Sequence, residues 1–187
     1  MFTIVTTAGD SRIMSDDSTA TTAALRAGLA ADPLWDFALS FYARPGVETA
    51  CLLLQDEANV DVCELLWHCW LFRHGLVPAE ETPGLADIRR WQGEVTLPLR
   101  GLRRQLKAAA VSDAGTAEVR RYIKRAELAA ERETLERLQR LAEYSIDLAV
   151  LHLDATSLEI CLIRRWKLQK KAQVLAAKTL ECQLDPL

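Results

Sequence analysis

The side chains best suited to chemistry crowd into one stretch, Asp56 to His74. Cys63, His68, Cys69 and His74 are metal-ligand types; Glu57, Asn59 and Asp61 imitate the start of a calcium loop; Asp56, Asp61 and Glu64 precede a histidine that could exchange protons with them. Spacing argues against each reading. Ligands that share an ion on one helix stand three or four residues apart, whereas Cys63–His68 and Cys69–His74 are five apart and point about 140° away from each other. In the calcium pattern the sixth position needs a turning glycine and the twelfth a bidentate glutamate, but the chain has Val62 and His68 there. No nucleophile elbow or paired-carboxylate motif accompanies the acids, and carboxylates at helix ends are explained by dipoles and capping. No catalytic, metal-ligating or cofactor-binding residue is assigned, and no cofactor is expected.

Two basic stripes carry the more promising chemistry. Arg100, Arg103, Arg104 and Lys107 share a wedge of one helix, with Arg89 and Arg90 extending it, while Leu99, Leu102 and Leu106 share another wedge. Arg164, Lys167, Lys171 and Lys178 form a second stripe on an expected last helix over about 157–182. Such stripes suit the phosphates of RNA or DNA, an anionic membrane surface, or an acidic protein. Arg100, Arg103, Arg104, Lys107, Arg164, Lys167 and Lys171 are the candidate partner-binding residues.

Helices must position them. Asp32-Pro33 suits a helix start and Arg44-Pro45-Gly46 its end. Asn59 tolerates the left-handed turn that closes a helix, and Asp61 with Glu64 reads as a capping box for the next. That next helix, about 62–74, is apolar on nearly every side, which places it at the centre of a fold. Pro98 predicts a kink or restart. A long charged helix is expected from about Thr116 to about Val150, with a thin seam from Val119 to Leu148 that could also serve a homodimer. No β-hairpin signal appears. The expectation is an all-α, single-domain bundle: a flexible leader over 1–31, with helix forming near Thr21–Leu29; a helical core over 32–110; and over 111–187 a long charged helix and a basic amphipathic helix packed on it.

Half of the residues are hydrophobic and 26% are charged, the balance of a globular chain. Residues 1–87 hold 4 Lys+Arg against 13 Asp+Glu, net −9, and residues 88–187 hold 19 against 13, net +6. The asymmetry suits an electrostatic partner, or offsets itself within one bundle. The five cysteines, at 51, 63, 69, 161 and 182, read as reduced thiols of a cytoplasmic protein. No apolar run reaches the ~18 residues of a membrane span. Met14, followed by SDDS, is an alternative start.

Leu34-Trp35-Asp36-Phe37, Tyr42, Pro45-Gly46-Val47, Cys51-Leu52, Leu54-Gln55-Asp56, Asp61-Val62, Leu65-Leu66 and Trp70-Leu71, then Trp91, Val95 and Pro98-Leu99-Arg100 through Leu106-Lys107, make a pattern. It resembles a small proteobacterial family of conserved hypothetical proteins, a domain of unknown function, over about residues 33–110. Asn59 stands where that family tends to have Gly, and Cys63 where it tends to have Asn. The resemblance implies a bacterial, cytoplasmic, helical protein and supplies no activity or site residue. The leading expectation is a non-enzymatic interaction protein, an adaptor or regulator with a protein partner. The alternatives are a nucleic-acid or ribosome-associated factor using the basic faces, and an apolar-ligand binder or enzyme with a pocket between helices near Trp67 and Trp70.

Overall fold

The sequence VCELLWHCWLFR has no polar face to give to water, so it can only be a helix enclosed by others. In a computed structural model of the protein, which describes residues 23–24, 26–78, 82–144, 148–151 and 157–184, it is buried without interruption from Cys63 to Leu71. The helices are α1 (Leu34–Tyr42), α2 (Val47–Ala58), α3 (Val62–Arg73), α4 (Leu85–Trp91), α5 (Leu97–Gln105), α6 (Ala114–Tyr144), α7 (Leu158–Trp166) and α8 (Lys171–Gln183). The central helix α3 packs against α1, α2, α6 and α7, and α8 closes the far side against α2 and α7. Trp67, Trp70, Leu65 and Leu71 are fully buried, and each large apolar side chain removed from water contributes about 1.5–3 kcal/mol. The fold is all-helical, with one small sheet among the described residues.

The local signals that set helix ends are mostly found in place. Asn59 is left-handed (φ 52°) and stops α2, and the Asp61 carboxylate accepts the Glu64 backbone N–H at 2.9 Å to start α3. Only half of the expected capping box forms, because the Glu64 carboxylate is used elsewhere. The restart expected at Pro98 occurs: a π-helical turn, Gln92–Thr96, separates α4 from α5, and Pro98 sits in the first turn of α5, where its missing N–H costs nothing.

Four expectations change. Asp32 does not cap α1. Its carboxylate meets His74 Nε2 at 3.1 Å and Arg73 Nη1 at 3.7 Å, and its carbonyl accepts the Trp70 indole N–H at 2.9 Å, so it ties the start of the bundle to the end of α3. Residues 26–31 are helical and Leu29 is fully buried, so the core takes in the end of the expected leader; residues 1–22, and with them Met14, lie outside the described residues. The long helix ends at Tyr144, and β2 (Leu148–Val150) pairs antiparallel with β1 (Leu76–Pro78), Leu76 opposite Val150 and Pro78 opposite Leu148. The expected last helix is two helices, because Lys167 turns left-handed (φ 51°) after α7 and α8 starts only at Lys171. That break separates Arg164 and Lys167 from Lys171 and Lys178, so the second basic stripe is not one face of one helix.

Candidate functional site

The first basic stripe divides. Arg100 Nε donates to Glu127 Oε1 at 3.1 Å and its Nη2 to Glu131 Oε1 at 2.7 Å, while Arg103 grips Glu127 through both Nε and Nη2. Arg100 and Arg103 are one turn apart on α5, and Glu127 and Glu131 one turn apart on α6, so the two helices mesh as a ladder of charge-assisted bonds. Burial pushes the Glu127 carboxyl up, but the two arginines outweigh it and hold it below its ordinary range. Burial raises Glu131, with Arg100 working against it. α5 buries no residue of its own, and Leu97 and Leu102 are about half exposed. The basic face, expected toward a partner, is thus partly spent on α6 because α6 offers acids at matching spacing. Arg104 and Lys107 are exposed and make no ion pair among the described residues.

Beside this ladder lies a groove of about 570 Å³. Trp35, Ala38, Leu39 and Tyr42, at i, i+3, i+4 and i+7 of α1, form one wall. The other is Lys124, Glu127, Leu128, Glu131 and Leu135 of α6, again one helical face, with Arg100, Arg103 and Arg104 of α5. Val62, Cys63 and Leu66 of α3 form the floor, and Glu48, Leu52 and Gln55 of α2 line it too. Leu39 (54% exposed), Leu128 (51%) and Leu52 (42%) stand half in water. Two helix faces with half-exposed leucines, over an apolar floor and with no described residue between them, resemble a bundle short of one helix.

The thiol and the phenol of the groove are held neutral. Burial pushes the Cys63 thiol well above its ordinary value, and burial, Cys51 and Glu48 raise the Tyr42 phenol to about 12. A thiol raised in this way is a small apolar packing group and a poor nucleophile. Cys63 lies with its Sγ 4.0 Å from the Glu131 carbonyl oxygen.

A second cluster holds the bundle together. The carboxylate of Glu64, 6% exposed, meets Arg89 through Nη2 at 2.7 Å and Nε at 3.0 Å, and Arg165 Nη2 at 2.9 Å, joining α3 to α4 and α7. Burial works against its charge, but the His68 ring and the Arg89 guanidinium beside it win and hold its carboxyl well below the usual range. His68 lies edge-on to Trp67 and Trp166 at 5.3 and 5.0 Å, and burial lowers its pKa. Cys63, His68 and His74 therefore face different neighbours. Sequence reasoning missed this cluster, although one acid on an otherwise apolar helix is itself a signal that a buried carboxylate must have cationic partners. Arg164, Lys167 and Lys171 are exposed, away from the groove lining. Trp67 and Trp70, where one alternative reading placed an apolar ligand, are fully enclosed and do not line the groove.

A model of a protein family of unknown function, DUF2390, matches residues 33–138. No curated protein and no solved structure matches the chain. The matched span runs beyond residue 110 into α6 and contains every residue that lines the groove, while α7 and α8 fall outside it.

Proposed function

We propose that the chain, which belongs to the DUF2390 family of proteins of unknown function, is a non-enzymatic interaction protein, an adaptor or regulator, that holds a protein partner in the groove between α1 and α6. The observation that carries this reading is the groove itself: half-exposed Leu39, Leu52 and Leu128 around an apolar floor, in a form that suits an inserted helix. A small-molecule pocket covers most of its ligand, and half-exposed leucine walls do so poorly. The neutral thiol and phenol of the groove favour binding over covalent chemistry. The setting is a bacterial cytoplasm, in keeping with cysteines 51, 63, 69, 161 and 182 all being free thiols. No helix among the described residues is long and apolar enough to cross a membrane.

A second reading, nucleic-acid binding, has one observation in its favour. Tyr122, 53% exposed and with the Arg121 guanidinium 5.4 Å from its ring centre, sits among exposed Lys124 and Arg125. One capture experiment separates the two. Tagged protein is recovered from its own cells with nuclease and at low and high salt, using wild type, Leu128→Asp, and Leu175→Asp as a control on exposed α8. We expect nuclease-resistant partners that Leu128→Asp loses by ten-fold or more and Leu175→Asp keeps. Recovery that depends on nucleic acid and collapses with salt, unchanged by Leu128→Asp, would favour the second reading.

A further inference from the structure

We infer that the occupant of the groove is an amphipathic helix with an acidic flank, docked with its acids toward α5. This rests on the groove being the partner site and adds the partner's chemistry.

Shape sets the first requirement. The α6 wall runs from Lys124 to Leu135, about 16 Å or three turns of helix. A helix lying in it would place apolar anchors at i, i+3 or i+4, and i+7 over Leu39, Leu66 and Leu128.

Charge sets the second. Arg100 and Arg103 are neutralised by Glu127 and Glu131, but Arg104 and Lys124, on the same bank, make no ion pair among the described residues. Across the groove the bank formed by α2 contributes Glu48, also unpaired there. The groove is therefore polarised, positive along α5 and α6 and negative along α2, which selects a partner with acids on one flank and fixes its orientation. Exposed Lys107 and Arg125, at the same end of the α5–α6 hairpin, extend the positive field and favour encounter with an acidic segment. The same cations argue against a second copy docking hairpin to hairpin, because like charges would be brought together.

The test uses the full chain and two synthetic helices of about five turns that share leucine anchors at i, i+3, i+4 and i+7. One carries Glu along one flank and the other carries Lys at the same positions. Binding is read by fluorescence anisotropy at low salt, with dodecanoate and a single-stranded oligonucleotide as competitors. We expect the Glu-flanked helix to bind at least ten-fold tighter than the Lys-flanked one, and added salt to narrow the gap. Arg104→Glu/Lys124→Glu, at exposed positions, should invert the preference, and circular dichroism checks that the variant is folded. The wild-type comparison stands without that variant. Equal binding of the two helices, preference for Lys, or displacement of the Glu helix by stoichiometric dodecanoate or oligonucleotide overturns the inference. If Leu128→Asp still loses its captured partners while the two helices bind alike, the groove remains the site and only the acidic partner is wrong.

Discussion

Glu64→Gln is expected to destabilise the fold by about 2–4 kcal/mol. Removing one partner of a buried ion pair leaves the other charge uncompensated, which typically costs about 3–5 kcal/mol. The lower range applies here because Arg89 is half exposed and can turn its guanidinium to water, whereas Arg165, 24% exposed, has less freedom. This cluster, together with the Asp32–His74 contact, also gives the pH dependence. His68 and His74 are lowered by burial, so each holds its proton less tightly in the fold than in the unfolded chain. Their contribution is complete above an unfolded value of roughly 6.5 and is lost as pH falls below it. Glu64, also lowered, contributes above roughly pH 4.3, and that contribution is lost as pH falls further toward its folded value. Urea unfolding across this range should show two successive losses in the wild type, and Glu64→Gln should keep the first and show a smaller second one, carried by Glu127, which its arginines also lower. An unchanged acid limb in the variant would mean that Glu64 does not staple the helices.

The two central tryptophans should respond differently to the same change. Trp67→Ala and Trp70→Ala each remove a fully enclosed ring and should cost about 3–5 kcal/mol. With phenylalanine the sites separate. The Trp67 indole N–H is buried and has no hydrogen-bond partner among the described residues, whereas that of Trp70 donates to the Asp32 carbonyl. Trp67→Phe therefore loses volume but also removes an unsatisfied donor, while Trp70→Phe strands an acceptor and loosens the tie between Asp32 and the end of α3. We expect Trp70→Phe to be the more costly by about 1–2 kcal/mol, read from urea midpoints at constant slope. Equal losses would mean that the Asp32 tie contributes nothing.

What the sequence revealed was what a short stretch determines for itself. All-round apolarity placed α3 at the centre, Asn59 marked a left-handed stop, Asp61 a helix start and Pro98 a restart. What it concealed depended on distant partners. A helical wheel separates the arginine wedge of α5 from its leucine wedge, but it does not say which one turns inward; acids at 127 and 131 decided that, and their one-turn spacing opposite Arg100 and Arg103 was visible in the sequence. The strands are three residues each and far apart in the chain, too short for alternation to register. Lys167 in a left-handed turn carries no residue-type signal, unlike Asn59. The acidic first half and basic second half partly offset each other, through Glu64 with Arg89 and Arg165 and Glu57 with Lys170. The groove was invisible because it is a space between α1 and α6, and each of its walls alone reads as an ordinary amphipathic face.

The claim that this groove is the docking surface is tested most directly by a photo-cross-linking residue placed in living cells at position 39, 128 or 175. All three leucines there are exposed to a similar degree, and only the first two face the groove. The groove account predicts one shared adduct from positions 39 and 128 and none of that adduct from 175. The same adduct from all three positions, or from 175 alone, would contradict it.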